Sequence, residues 1–166
     1  MYMHAIVFAI ISILIGKYQV MSDLPIMPDD FDPCLSLNLR KANRVMSQIY
    51  DHYLAEHGIK STQFAILRAA TFLGQTNNKQ LQEVLILDQT TLSRNLKPLL
   101  RDGFISAQEG DDRRIKVLSL TKDGQALFER AKIQWQQAQT EVKKKLGEKN
   151  TALLHSLSNS IVSLKG

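Results

Sequence analysis

The sequence predicts a mainly α-helical fold that carries one small β-hairpin. From residue 33 onward, apolar residues recur every three or four positions, which is the period of an amphipathic helix. The period changes to two only in residues 104–108 and 115–120, which predicts two short strands with a polar tip between them at residues 109–114. The predicted order is four helices, the hairpin and two further helices.

Length and composition fit one globular domain at residues 33–166. The chain has 166 residues, of which 44% are hydrophobic, and this is enough to bury one core. Its single cysteine cannot form a disulfide within the chain, so we expect a reducing, cytoplasmic location. The net charge of +5 is compatible with nucleic acid or an anionic membrane as a partner.

The first 20 residues differ from the rest of the sequence. Residues 5–16 form an apolar run that is shorter than the ~20 residues of a membrane-spanning helix, and no cationic segment precedes it. We interpret residues 1–20 as an upstream extension, Met21 as the biological start, and residues 21–32 as a flexible segment. An ordered apolar helix and an export signal stay open as alternatives.

The first helix is predicted over residues 33–57. Asp32 suits its N-cap, Pro33 its first turn and Gly58 its end. Steps of four and three residues place its apolar side chains on one stripe: Leu35, Leu39, Ala42, Met46, Ile49 and Tyr53.

Two shorter helices follow, at residues 61–73 and 79–86. We expect Ser61 to cap the first of them, and Asn77 or Asn78 to cap the second. In the helix at residues 79–86, the apolar side chains predicted to point inward are Leu81, Val84 and Leu85. A fourth helix, capped by Asp88, is predicted over residues 89–101.

The fourth helix has two chemically different faces. Leucines 92, 96, 99 and 100 share one arc, and the opposite side carries Thr90, Arg94, Lys97 and Arg101, with Ser93 at its flank. Gln89 points nearer the apolar edge, but it lies in the first turn and can still reach outward. A helix that reads DNA needs this division, since one face anchors it and the other offers donors to bases and phosphates. By this interpretation Arg94 contacts guanine and Gln89 adenine, while Lys97 and Arg101 contact phosphates. A merely solvated surface helix is the alternative. Pro98 breaks the helical propensity, so the helix either bends or ends early.

The hairpin tip supports the same interpretation. It contains Asp112, Arg113 and Arg114, and a long arginine on a hairpin can enter the minor groove. An aspartate two residues before an arginine can pair with it across the tip. The alternative is a solvated turn whose charges neutralise each other.

Two helices complete the chain. Thr121 is the predicted cap of a helix over residues 122–146, Gly147 breaks it, and a last helix follows at residues 148–164. The predicted apolar stripes are Leu127, Ala131, Trp135, Ala138, Val142 and Leu146, then Leu154, Leu157, Ile161 and Leu164.

The residues around the hairpin carry a family resemblance. Residues 87–96, 100–105, 111–114 and 118–124 together resemble the MarR family of transcriptional regulators. The resemblance implies a winged helix-turn-helix at about 61–121, with dimerisation helices at about 33–57 and 122–165. It also implies a homodimer that binds a pseudo-palindromic operator. It makes Gln89, Thr90, Ser93 and Arg94 groove readers and Arg114 the wing arginine, oriented by Asp112.

Cys34 is a candidate redox switch. Some relatives of the OhrR type sense peroxides through a cysteine at the start of the first helix, where the helix dipole favours a thiolate. In our register the sensing position falls nearer Ser36, so an unreactive thiol is the alternative.

The expected function is therefore that of a DNA-binding regulator, a repressor released by a small-molecule effector or by thiol oxidation. We expect no enzyme activity, no cofactor and no metal site, and double-stranded DNA and a second copy as partners. Two alternatives stay open: a membrane-associated regulator anchored by residues 5–16, and a winged-helix module that binds another protein.

Overall fold

The structure of the protein is a computed structural model that describes residues 34–110 and 114–165. The chain divides into two compact units, Met1–Lys41 and Ala42–Gly166. The predicted extension, the predicted flexible segment, the predicted N-cap Asp32 and the predicted first helical residue Pro33 lie outside the described residues.

The described residues confirm a mainly helical fold with one two-stranded antiparallel hairpin. The elements are α1 (Leu35–Leu54, followed by a 3-10 turn at Ala55–His57), α2 (Ser61–Leu73), α3 (Asn78–Leu85), α4 (Gln89–Arg101), β1 (Ile105–Glu109), β2 (Lys116–Leu120) and α5 (Lys122–Ser163).

Helix α1 is shorter than predicted at both ends. It begins at Leu35, and the carbonyl of Cys34 accepts the N–H of Asn38 at 3.1 Å. The last three residues of the predicted helix tighten into the 3-10 turn. The first part of the predicted apolar stripe is not buried in the single chain, since Leu35 is 80% exposed and Leu39 47% exposed.

The core of residues 42–166 is built around α2, which contacts α3, α4, β2 and α5. Phe64 of α2 stacks on Phe128 and Trp135 of α5, with ring centroids 5.5 Å and 5.7 Å apart. Ile66 and Leu67 are fully buried beside it. The 3.6-residue period of α2 therefore places its apolar face against most of the surrounding elements.

The starts of α2 and α3 use different residues. The backbone N–H of Lys60 donates to Oε1 of Gln63 at 2.8 Å, so Lys60 is the N-cap and the predicted cap at Ser61 is wrong. Ser61 lies in the first turn, where its N–H donates to Oδ1 of Asp51 at 2.6 Å. At α3 the cap is Asn77, whose side chain accepts the N–H of Gln80 at 3.0 Å.

Helix α3 ends one residue earlier than predicted, and one predicted core position is wrong. Leu81 is fully buried, whereas Val84 is 52% exposed. A residue three positions after Leu81 lies about 60° from it around the helix axis, so Val84 is at the edge of the inward-facing arc.

The hairpin pairs Ile105 with Leu120 and Glu109 with Lys116, so each strand begins one residue later than predicted. An isolated bridge between Thr76 and Leu118 widens its base, with backbone bonds of 2.9 Å and 2.7 Å. The hairpin is therefore fixed to the segment that precedes α3.

Helix α5 starts at the predicted cap. The hydroxyl of Thr121 accepts the N–H of Gly124 at 3.0 Å and donates to the carbonyl of Gly103 at 2.7 Å. Gly147 has φ 75° and ψ 165°, so the predicted break divides α5 there. Before the break, Leu127, Ala131 and Ala138 are buried. After it, the predicted stripe is exposed in the single chain.

The end of α1 is tied to α5 by polar contacts. The hydroxyl of Tyr53 donates to Oε2 of Glu141 at 3.2 Å, and His57 lies 3.2 Å from Oε1 of Gln134. Burial is the main cause that raises the pKa of Tyr53, and the charge of Glu141 raises it further. The hydrogen bond from Lys145, 3.0 Å away, lowers the pKa of Glu141.

Candidate nucleic-acid interface

Helix α4 has the predicted N-cap and bounds. The Asp88 carboxylate accepts the Thr91 hydroxyl at 2.7 Å and the Thr91 N–H at 2.8 Å. Both bonds lower the pKa of Asp88, because they favour its ionised form, and the bond from the hydroxyl has the larger effect. A charged carboxylate at this position also interacts favourably with the helix dipole.

The two predicted faces of α4 are confirmed. Leu92, Leu96 and Leu99 are buried, with 0%, 5% and 1% of their surface exposed. The predicted DNA-contacting side chains of this helix are all exposed: Gln89, Thr90, Ser93, Arg94, Lys97 and Arg101. The apolar face fixes the helix to the core, so its polar face is presented on a rigid element.

Pro98 lies inside α4, and the helix continues to Arg101. The alternative of a helix that ends early is therefore wrong. Proline has no amide hydrogen, so the carbonyl of Arg94 cannot receive the usual bond from four residues later. The resulting defect lies after the turns that carry Gln89 and Ser93.

The six exposed residues are not equivalent. Oε1 of Gln89 accepts a bond from Gln82 at 2.6 Å, and its Nε2 donates to Ser93 at 3.2 Å. Arg101 donates twice to the carboxylate of Asp102, at 2.7 Å and 2.9 Å. This pairing lowers the pKa of Asp102 and partly neutralises the cation that we expect to contact a phosphate.

The wing is described only at its base. Arg114 is exposed just before β2, whereas Asp112 and Arg113 lie outside the described residues, as does the predicted pairing across the tip. A groove of about 520 Å³ between α4 and the hairpin is lined by Lys97, Arg101 and Lys116, among other residues.

A second groove joins the start of α3 to the hairpin. It has a volume of about 270 Å³, and its lining includes Lys79, Arg114 and Lys116. Lys79 and Lys116 thus extend the cationic surface beyond the predicted residues. Lys116 could have been identified from the sequence, because it lies near the start of the second predicted strand of the wing.

Two uncharged residues were also missed. The hydroxyl of Thr62 on α2 donates to Oδ1 of Asn95 at 2.7 Å, and Nδ2 of Asn95 donates to the carbonyl of Thr91 at 2.8 Å. The link spans 33 residues. No local pattern predicts it, because it depends on the tertiary arrangement of two helices.

A cavity of about 500 Å³ lies away from the polar face of α4. Its lining is mostly apolar and includes Phe64, Phe72, Leu85 and Trp135. Its one charged lining residue, Arg68, stacks over the Trp135 ring, with the guanidinium carbon 4.7 Å from the ring centroid. No local sequence pattern predicts the lining of this cavity.

Cys34 is exposed immediately before α1. Within residues 34–110 and 114–165, no group of three or more His, Cys, Asp or Glu residues is arranged to hold a metal ion. No helix in that part of the chain is long and apolar enough to cross a membrane.

The fold and the exposed face of α4 define a class of protein. Helix α3, a short turn and α4 form a helix-turn-helix, and the β1–β2 hairpin that follows is its wing. The molecule is thus a winged helix-turn-helix protein, as predicted.

Comparison with known proteins shows similarity to one family of regulators. Residues 59–116 match the MarR family. The chain is 32% identical over 88 residues to the multiple antibiotic resistance protein MarR of Salmonella typhimurium, covering 52% of this chain and 61% of that protein. It is 24% identical over 91 residues to the HTH-type transcriptional regulator YwoH of Bacillus subtilis, covering 55% and 66%. The matched segments thus span less than two thirds of these curated relatives.

A solved structure extends the similarity over most of the fold. The transcriptional regulator MosR of M. tuberculosis, crystallised in complex with DNA, superposes with a TM-score of 0.69 at 28% identity. The match covers 80% of this chain and 99% of that one. The match at residues 59–116 and the shared fold make this chain similar to the MarR family of transcriptional regulators. Proteins of this family are DNA-binding regulators and not enzymes, in agreement with the expectation that this chain is not an enzyme.

Proposed function

We propose that the protein is a sequence-specific DNA-binding regulator that represses transcription as a homodimer in the cytoplasm. The observation that carries this proposal is the polar, cationic face of α4, which is exposed along its length and supported by buried leucines. The two cationic grooves beside the wing, which share Lys116, add phosphate-binding capacity. The relative MosR, which shares this fold, was crystallised with DNA.

Each residue has a proposed role. Arg94 has the donor geometry for a bidentate contact to guanine, and Gln89, Thr90 and Ser93 lie in the first turns that enter a major groove. Lys97, Arg101 and Lys116 line one groove and suit phosphate oxygens. Asp112, Arg113 and Arg114 remain the proposed wing contacts.

The C-terminal segment of α5 supports the proposed dimer. Leu154, Leu157 and Ile161 are each 41–51% exposed and share one helical face. An apolar face of this kind is stabilised when a second copy removes it from water, at about 25 cal/mol per Å². A two-fold dimer would present two α4 helices to successive major grooves, roughly 34 Å apart.

We also propose that a small-molecule effector releases the DNA. The mostly apolar cavity beside Trp135 is large enough for such a ligand, and it borders α2 and α3, which support α4. Ligand binding would favour a dimer whose α4 helices are differently spaced, and so shift the population away from the DNA-binding form.

Oxidation of Cys34 is the second proposed release mechanism, supported by its exposure at the start of α1. It predicts that an organic peroxide lowers operator affinity in the wild type and not in Cys34→Ser. If both proteins respond equally, or if neither responds, the thiol has no regulatory role.

The proposed function is tested by selecting bound duplexes from a random pool. We expect a palindromic consensus with half-sites one helical turn apart. Binding should weaken with salt, with a log–log slope of about −5 if about six phosphates are contacted. A pool that yields no consensus, together with a slope near zero, would contradict the proposal.

A further inference from the structure

A chain of three side chains connects α3 to the exposed face of α4. Nε2 of Gln82 lies 2.6 Å from Oε1 of Gln89, and Nε2 of Gln89 lies 3.2 Å from Oγ of Ser93. Gln89 and Ser93 are exposed, and Gln82 is half-buried. Rotating both carboxamides by 180° exchanges donors and acceptors but preserves both bonds, so the connection does not depend on their assignment.

The inner end of this chain is well anchored. The carbonyl of Gln82 accepts the N–H of Ile86 and, at 3.0 Å, the N–H of Leu87. Both donors belong to the turn between α3 and α4. Gln82 is therefore fixed to the turn by its backbone and to the first residue of α4 by its side chain.

The connection limits what Gln89 can present to a groove. A glutamine that reads adenine uses both its amide oxygen and its amide nitrogen. Here each of these atoms already has one partner, so only the second lone pair and the second hydrogen remain. A free glutamine would also lose rotamer entropy on binding.

We propose that Gln82 is a positioning residue for sequence readout: it holds the Gln89 carboxamide, and through it the Ser93 hydroxyl, in the one orientation that meets the bases. This inference rests on the proposed DNA-binding function. Gln82 acts through Gln89 and need not contact DNA itself. The fold does not depend on this bond, because buried Leu81 and Leu92 hold α3 and α4 in the core.

The test compares Gln82→Met, Gln89→Met and the double variant in full-length protein. Methionine keeps the length of the side chain and its helix propensity but cannot make the amide bond. Gln137→Met on the exposed surface of α5 is the matched control. For each protein, duplexes are selected from a random pool, and affinities for the wild-type consensus, its single-base variants and a random duplex are measured, together with the melting temperature.

We expect Gln82→Met to relax preference at one base pair of each half-site by about tenfold, the size of one lost base contact. Its affinity for random duplex and its melting temperature should match those of Gln137→Met. In the Gln89→Met background, the Gln82 substitution should have no further effect, because the residue through which it acts is gone.

Three results would overturn this inference alone. Gln82→Met could keep its base preference while Gln89→Met loses it, or the losses of preference could add in the double variant. The third result is a loss of preference in Gln82→Met that comes with equal losses of random-duplex affinity and melting temperature. If the wild type selects no sequence at all, the proposed function fails, and the inference fails with it.

Discussion

The Thr62 hydroxyl donates to Oδ1 of Asn95 at 2.7 Å, and this bond joins the first turn of α2 to the middle of α4. The other end of the Asn95 amide donates to the carbonyl of Thr91, one turn earlier in α4. Asn95 therefore connects the core helix to the helix that carries the proposed base contacts. It contributes to the orientation of α4 while its neighbours on the polar face stay exposed.

Replacing Asn95 by alanine should lower the free energy of unfolding by about 1 kcal/mol, because a tertiary hydrogen bond and an intrahelical one are lost. Urea denaturation measures the change. Asn150→Ala is the matched control, since the amide of Asn150 also donates to the carbonyl four residues earlier, that of Leu146. If both variants lose the same stability, the bond to Thr62 does not stabilise the fold.

Gly124 is the residue whose replacement should damage the junction between the wing and α5. A Cβ atom at this position would overlap the carbonyl oxygen of Phe104, which is backbone and cannot rotate away. We expect Gly124→Ala to lower the free energy of unfolding by about 1–3 kcal/mol, as overpacking does in a rigid environment. Gln125→Ala, at the next and exposed position, should have an effect within about 0.5 kcal/mol. Equal stabilities in urea would contradict this prediction.

Ile86 adopts an unfavourable backbone conformation. It is the only residue other than glycine in the described part of the chain with a positive φ, 52°, and its β-branched side chain is 45% exposed. Asparagine tolerates this conformation better, so Ile86→Asn should raise the free energy of unfolding by about 1 kcal/mol. Ile86→Val, which keeps the β-branch, is the control and should show no gain. A destabilised Ile86→Asn would mean that the isoleucine side chain contributes more by packing than its backbone loses.

The elements of the fold followed closely from local signals. Period, caps and glycines placed α4, the hairpin and the break at Gly147 to within a residue, because each depends on interactions between near neighbours. The errors occurred where tertiary contacts override local preference. Ser61 looked like a cap, but its N–H is satisfied by Asp51 from another helix.

The candidate site likewise has one part that local sequence patterns predict and one part that depends on tertiary contacts. The exposure of Arg94 and Lys97 follows from the helical period of the leucines of α4, so it could be predicted. The bond between Gln82 and Gln89 crosses a turn whose geometry depends on the left-handed conformation of Ile86. A positive φ at an isoleucine has no local sequence signal, and the link was therefore missed.

The cap of α4 makes stability depend on pH. Bonds from Thr91 lower the pKa of Asp88 in the folded chain relative to the ~3.9 of an unfolded one. Its contribution is therefore fully present above about pH 4 and is lost as the pH falls through the lower, folded pKa. Asp88→Asn keeps a capping side chain that does not titrate, so it should lose less stability between pH 7 and pH 3 than the wild type. Equal losses, read from urea midpoints, would exclude a contribution from Asp88.

Arg94 and Lys97 should contribute to DNA binding in different ways. Arg94→Ala should cost about 1–3 kcal/mol at the selected operator and relax preference at one base pair, because a bidentate contact to a base edge is lost. Lys97→Ala should weaken binding to all sequences alike and reduce the salt slope by about one, because a phosphate contact is lost. Competition binding against single-base variants of the operator separates the two effects.

The control for both substitutions is Arg130→Ala, which removes one exposed cation from α5. If only the loss of one positive charge mattered, the three variants would bind DNA alike, since each lowers the net charge by one. Base readout by Arg94 requires instead that its variant alone changes the rank order of operator variants. If the rank order of operator variants is unchanged, Arg94 contacts only the DNA backbone. Gln89 and Ser93, at the start of α4, would then be the residues that read the bases.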